Sequence, residues 1–200
     1  MRHPDRLAMG YSQNNEEAVL LECFGSRIGR FLDIGANDGE TLSNTRALAL
    51  LGWSGVWVEP SPVAYKKLST LYPNGHIINA AVGLGSGEVE FYEGADTLTS
   101  TLLDKETERW GKSNFSVTKV RSITPAELFD LAPGPYDFIS IDCEGMDVEV
   151  LANTPSTLRK TAAFCIEHNA VEDRKSRILS LLPNHKTILS NAENIILVPN

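Results

Sequence analysis

Three groups of residues in this 200-residue chain combine types and spacing that could do chemistry. The first is Phe31–Gly39, where the apolar run Arg30–Ile34 gives way to the loop Gly35-Ala36-Asn37-Asp38-Gly39. Glycine at a strand-to-helix turn lets backbone amides approach a ligand, because a Cβ would block the contact. A loop shaped for a pyrophosphate would read Gly-x-Gly-x-x-Gly. Here glycines stand only at 35 and 39, and Asp33 precedes them. A carboxylate at that strand end suits a ligand with a cationic ammonium or sulfonium end. The second group is Glu59, 26 positions after Asp33 and last in the run Gly55–Glu59. An acid there can accept both hydroxyls of a ribose. The plain alternative for both is a tight turn followed by a solvated strand-end acid.

The third group follows two later apolar runs. Asp142 and Glu144 come after Tyr136–Ile141, and Glu167, His168 and Asn169 close Ala162–Glu167 and continue past it. Both sets belong at the carboxyl edge of a sheet, where α/β proteins bind ligands. His168 or Asp142 could serve as general base toward a hydroxyl. Alternatively, Asp142, Glu167 and Asn169 could give oxygen ligands to a magnesium-like divalent cation. Each residue also has a structural reading. Asp142 could contact a ligand's ammonium group, Glu144 could cap the helix starting near Met146, and His168 could be a satisfied loop histidine.

These residues need a scaffold, and the chain supplies an alternation of strand-like and helix-like segments from residue 30 onward, the pattern of a layered α/β fold. A helix is expected from about Glu40 to Leu51, stopped by Gly52. Ser61-Pro62 opens another, with Ser61 as N-cap and Pro62 at the first helical position. Pro73-Asn74-Gly75 ends it, His76–Val82 reads as a third strand, and Glu88–Tyr92 as a fourth, paired across Gly83–Gly87. Residues 93–116 break the rhythm and suggest a lid or substrate loop, with Trp110 as a candidate substrate contact. Val117–Ser122 restores order before a short helix near Pro125. Trp53 and Trp57 read as core. Lys186–Ser190 and Asn194–Val198 are joined by only Asn191-Ala192-Glu193, too brief a link to cross a sheet, so they should pair antiparallel. The fold class is therefore α/β, a mostly parallel sheet ending in a C-terminal antiparallel hairpin, and it resembles Rossmann-like class I methyltransferases. Residues 1–200 form one domain in this reading, with 1–28 as an N-terminal arm and helix.

Composition sets outer bounds. A formal charge of -8 repels phosphate backbones, so no nucleic-acid partner is expected. Cys23, Cys143 and Cys165 do not form a disulfide framework, nor do they show zinc-ligand spacing. The N-terminus lacks the apolar run of a signal peptide, and no segment has the length of a membrane span. A cytoplasmic protein with no membrane partner is the expectation. Oligomeric state is not legible.

Four pieces of sequence resemble the FkbM family of methyltransferases, named for an enzyme that O-methylates a macrolide. They are Tyr11-Ser12-Gln13-Asn14-Asn15-Glu16, Phe31–Gly39 running on through Thr41-Leu42-Ser43-Asn44-Thr45, Gly55–Pro60 with Asn79-Ala80-Ala81-Val82, and Ile141-Asp142-Cys143-Glu144-Gly145. The resemblance spans roughly residues 11 to 169 and implies S-adenosylmethionine as cofactor. It implies that Asp33, Gly35, Ala36 and Asn37 line the methionine end. Glu59 would hold the ribose with Pro60 and Ser61 beside it, and Ala81 and Val82 would lie near the adenine. Ser12 and Gln13 would close the pocket from the N-terminal side, with helix capping before Ala18–Leu21 as the alternative. The set Asp142, Glu167 and Asn169 is also similar in placement to the metal ligands of catechol-type O-methyltransferases. The expected activity is O-methylation of a hydroxyl on a sugar or small natural product. Two competitors stand beside it: a nicotinamide-dependent oxidoreductase, disfavoured by the missing third glycine and the lack of a Tyr-x-x-x-Lys pair, and a non-catalytic module that only binds cofactor.

Overall fold

The computed structural model describes residues 10–95, 98, 100–104, 107–108 and 111–200; Trp110 lies outside these. Ten strands occur among them: β1 (Arg30–Ile34), β2 (Ser54–Val58), β3 (His76–Ile78), β4 (Ala81–Val82), β5 (Gly87–Gly94), β6 (Phe115–Ile123), β7 (Phe138–Ile141), β8 (Ala163–Glu167), β9 (His185–Ser190) and β10 (Asn194–Pro199). Seven form one sheet in the order β3-β2-β1-β7-β8-β10-β9. β3 through β8 in that order run parallel, while β10 is antiparallel to both β8 and β9. The expected parallel sheet with a terminal antiparallel hairpin is the one observed.

Strand alternation assigns side chains to two cores. Leu32, Ile34, Val56, Val58, Ile139 and Ile141 face one side, under the helices Pro125–Leu131, Asp147–Asn153 and Glu172–Leu181. Phe31, Trp57, Phe138 and Cys165 face the other, under Glu16–Phe24, Arg46–Leu50 and Pro62–Leu71. Trp53 and Trp57 are buried there, with Trp57 stacked on Tyr72 at a centroid distance of 4.2 Å. The last of these helices is set by the sequence signals expected: Ser61 accepts from the Ala64 N–H at 3.1 Å and Pro62 is its first residue.

Three elements differ from expectation. The helix placed at Glu40–Leu51 covers only Arg46–Leu50. Asp38 accepts from the N–H groups of Glu40 and Thr41, and Ser43 Oγ accepts from those of Thr45 and Arg46, so side chains compete with the helical ladder. The third strand divides at Asn79, whose amide donates to the Glu59 and Pro60 carbonyls. Its second half, β4, leaves for a separate sheet of order β4-β6-β5. Finally, β5 pairs antiparallel with β6 along its whole length, from Gly87↔Ser122 to Gly94↔Phe115, instead of folding back on β4. The helix Glu172–Leu181 has no counterpart in the sequence expectations; only Ile178 is buried in it, too little to give an apolar stripe.

The contact that joins the two halves of the main sheet is at the end of β1. Gly35 has φ +86, and a Cβ built there would lie 1.7 Å from the Asp142 carbonyl oxygen. Beside it, the Asp142 N–H donates to the Ile34 carbonyl at 2.9 Å. Gly35→Ala is therefore expected to cost about 3 kcal/mol or more in urea unfolding, through both backbone strain and a clash that must part β1 from the loop after β7. Gly85→Ala, where a Cβ meets nothing within 4 Å, should stay within about 0.5 kcal/mol.

Candidate active site

A cleft opens at the carboxyl edge of β1, β2, β7 and β8, with the second sheet as one wall. Asp33, Gly35, Ala36, Asn37, Glu59, Pro60, Ala81, Val82, Asp142, Glu144, Glu167 and Gln13 all line it. The sequence therefore selected residues that the fold brings together. Ser12, Ser61, His168 and Asn169 do not belong to the lining. The Ser12 hydroxyl donates to Glu17 and accepts from the Glu17 N–H, at the start of the first helix. Ser61 is an N-cap that also donates to Glu93. His168 is 3% exposed, and burial with the nearby Lys175 charge holds its pKa below the ordinary value. Asn169 adopts φ 52 and donates a side-chain hydrogen bond to Glu167.

The glycine loop works differently from the expectation. Its first three N–H groups are already occupied: Gly35 and Ala36 both donate to the Val58 carbonyl, at 2.9 and 3.1 Å, and Asn37 donates to Glu59 Oε2 at 2.7 Å. The loop is thus stitched to β2 and presents no nest of free amides to an anion. Glycine at 35 serves the Asp142 carbonyl, not a ligand.

Glu59 is 6% exposed, with its other oxygen accepting from the Ser61 N–H at 2.7 Å. Burial, opposed by those two amides, pushes its pKa up to about 7. A carboxylate has about four acceptor positions, so two remain for incoming hydroxyls. Asp33 is 4% exposed and receives the Thr45 hydroxyl at 2.6 Å; burial raises it to about 6. Asp142 rises for the same reason, reinforced by Glu144, Asp147 and Asp33. Glu167 rises through burial and the charges of Asp142, Asp147 and Glu144. Asp147 holds the turn between β7 and its helix, accepting from the Cys143 N–H at 2.7 Å and the Gly145 N–H at 3.1 Å.

Several lining groups carried no assigned role in the sequence reading. Asn194 starts β10 directly opposite Glu167 and reaches the cleft from the hairpin; nothing in its neighbourhood in sequence marks it. Asn44 stands next to Asp33's partner Thr45, and its amide reaches Ser140 at 3.5 Å. Phe91, Thr101 and Leu102 arrive from the second sheet and the segment beyond it. Among the described residues, four buried oxygens in this lining have no hydrogen-bond partner: Asn37 Oδ1, Asn44 Oδ1, Asn194 Oδ1 and Glu167 Oε2. All four are oxygen atoms, and for Asn44 and Asn194 the amide nitrogen is taken up by Ser140 and Glu16.

A doubly layered, mostly parallel sheet with a terminal antiparallel hairpin and an acid-lined cleft at its carboxyl edge defines the class I methyltransferase fold, and solved structures agree. The chain resembles the methyltransferase FkbM from Methylobacillus flagellatus KT with TM-score 0.57 and 14% identity, over 85% of this chain and 43% of that one. It resembles TehB from Haemophilus influenzae with TM-score 0.51 and 8% identity, over 98% and 65%. A TehB-like SAM-dependent methyltransferase from Corynebacterium glutamicum aligns with TM-score 0.50 and 12% identity, over 98% and 94%. These identities speak for the fold alone, and the chain spans under half of the Methylobacillus protein. Comparison with curated proteins gives no significant match. The Methyltransferase FkbM domain matches residues 33–192, and the chain belongs to this family of methyltransferases.

The raised carboxyls set a pH dependence for the ligand-free chain. Asp33 and Glu59 keep their protons in the folded state at pH values where the unfolded chain has lost them. Their contribution is complete below their ordinary values, near 4, and is lost as pH rises through about 6 and 7. For Glu59 alone the loss is on the order of 3 kcal/mol. Glu16 and Asp38, held below their ordinary values, act oppositely and lose their contribution under acid. The melting temperature should peak near pH 5 and fall by roughly 5–10 °C by pH 8 in a calorimetric series. A flat profile across that window would show that these carboxyls ionise normally.

Proposed function

We propose that the chain transfers a methyl group from S-adenosylmethionine to a hydroxyl of a sugar or small natural product. The observation that carries this is the polarity of the unsatisfied groups: the cleft offers acceptor oxygens, while the N–H groups of Gly35, Ala36 and Asn37 are spent on Val58 and Glu59. A pyrophosphate needs donors, so a nicotinamide dinucleotide suits this loop poorly. The ammonium, sulfonium and ribose hydroxyls of S-adenosylmethionine are donors or cationic, and they match it.

In this reading Asp33 and Asn37 meet the methionine end, with Gly35 and Ala36 forming its floor. Glu59 receives the ribose hydroxyls, and Pro60 flanks them. Ala81 and Val82, with Phe91, sandwich the adenine. Ser61 supports Glu59 through its amide, and Ser12 acts through Glu17 in keeping Gln13 at the rim. Methyl transfer is an in-line displacement, in which the acceptor oxygen bonds to carbon as the carbon–sulfur bond breaks. Positioning therefore supplies much of the rate. Asp142 lies on the acceptor side with Glu144 and Glu167, and its raised pKa suits a base that takes the hydroxyl proton. His168, outside the lining, is a poorer base. The segment 93–116, parts of which lie outside the described residues, is proposed as the lid or substrate loop, and the whole chain as one methyltransferase domain. No helix among the described residues is long and apolar enough to cross a membrane. With unpaired cysteines, a cytoplasmic setting is proposed.

Titration calorimetry with S-adenosylhomocysteine and with NAD tests this directly. S-adenosylhomocysteine should bind and NAD should not. Glu59→Ala should weaken S-adenosylhomocysteine roughly 10- to 100-fold, the worth of charge-assisted hydrogen bonds to two hydroxyls. Tight NAD binding without S-adenosylhomocysteine binding would sink the proposal in favour of an oxidoreductase.

A further inference from the structure

The acceptor side of the cleft holds more negative charge than methyl transfer alone requires. Asp142, Glu144 and Glu167 bring one carboxylate oxygen each within 4.8 Å of one another. An acidic cluster is not in itself a site, but here two independent features point inward. Glu167 is 6% exposed and its Oε2 has no partner. Asn194, 5% exposed, faces Glu167 across the β8–β10 ladder, and its Oδ1 is likewise buried without a partner. Its amide nitrogen is fixed by Glu16 at 2.9 Å, which orients the carbonyl oxygen away from that acid. Both residues line the cleft with Asp142 and Glu144.

We propose that Asp142, Glu144 and Glu167, together with the side-chain carbonyl of Asn194, bind one divalent cation of the hard, oxygen-preferring kind, Mg2+ or Mn2+. The donor set is all oxygen and contains no imidazole or thiolate, which is the choice of such ions. Asn169, which donates to Glu167, positions that ligand and does not itself coordinate. His168, buried beside the same strand end, is outside the lining and takes no part. The inference rests on the methyl-transfer reading and sharpens it. With Asp142 engaged as a ligand, its proton-accepting role passes to water: an acceptor hydroxyl entering the shell becomes more acidic and releases its proton there. The alkoxide then forms the carbon–oxygen bond as the sulfonium's carbon–sulfur electron pair returns to sulfur.

Titration of the full chain with MnCl2, with and without S-adenosylhomocysteine, tests the site without any methyl acceptor. One Mn2+ per chain should bind and be displaced by Mg2+. Glu167→Gln and Glu144→Gln should each weaken Mn2+ at least tenfold, and Asn194→Ala several-fold, whereas Glu88→Gln on the second sheet should have no effect. Glu167→Gln removes a buried, mutually repelling charge, so its metal-free melting temperature should not fall below the wild type's. If it fails to fold, Glu144→Gln, at a half-buried position, carries the test. No saturable Mn2+ binding by the wild type, or binding undiminished in the folded variants, overturns the proposal. S-adenosylhomocysteine binding in the same cell separates the two readings. If it binds and Mn2+ does not, only the cation site falls; if it does not bind, the methyl-transfer reading fails on its own.

Discussion

The site depends on the approach of the Gly35 Cα to the Asp142 carbonyl, a gap that a single methyl group would close. β1 and β7 are adjacent parallel strands, and their carboxyl ends must diverge to open a cleft in an α/β sheet. At this pair they do so only after the loops have touched. The touch fixes the direction of Asp142 and Glu144 beyond β7 relative to Asp33 on β1. Two further strands are tied to the same point, β2 through the Val58 carbonyl and Glu59, and β8 through its register with β7. A loop whose amides are used in this way is a structural clasp, and the ligand sees its side chains.

That geometry has an electrostatic consequence. Asp33, Glu59, Asp142, Asp147 and Glu167 are each pushed above their ordinary pKa mainly by burial, and several raise one another. Carboxylates gathered this way destabilise the free chain near neutral pH, and they gain what they lack when something cationic or donor-rich arrives. Stability and ligand binding are therefore linked in opposite senses through the same groups. The polar supports follow this logic. Thr45 and Ser140 donate to Asp33, the amides of Asn37 and Ser61 to Glu59, and those of Cys143 and Gly145 to Asp147, enough to hold each carboxyl in place without neutralising it.

The sequence made legible whatever depends on local pattern. Arg30–Ile34 is a strand because it is a short apolar run ended by glycine, and Ser61-Pro62 starts a helix because of capping chemistry. The three-residue link at Asn191 forced an antiparallel hairpin. Asp33, Glu59 and Asp142 were found because strand ends place them on one edge. What stayed hidden was set by partners distant in the chain. The second sheet escaped notice because β4 holds only two residues and pairs with β6, some forty positions away. Asn194 gave no sign of its place because only the β8–β10 register sets it against Glu167. The loop at 40–45 read as helix because Leu42 leads into the apolar-rich run Ala47, Leu48, Leu50 and Leu51, while Asp38 and Ser43 take the N–H groups a helix would need.

These hidden parts differ in kind from the β1–β2 side of the cleft, and they form its other walls. Thr101, 1% exposed, donates to the Glu144 carbonyl at 2.8 Å, so the segment after β5 is anchored to the acid loop itself. On the opposite rim, Glu16 receives the amides of Asn191 and Asn194 and the N–H of Asn14, next to Gln13. Burial alone would raise Glu16, yet these donors hold it below its ordinary pKa; it stays charged and keeps the N-terminal segment against the hairpin. One wall is thus hydrogen-bonded to the loop that carries Glu144 and the other to the hairpin that carries Asn194, whereas the opposite side of the cleft is built from β1, β2 and the turns that follow them. Substitutions in the walls can reshape that end of the cleft without disturbing Asp33 or Glu59. That separation leaves the β1–β2 side of the cleft intact while its walls vary, with the acid cluster as the fixed point between them.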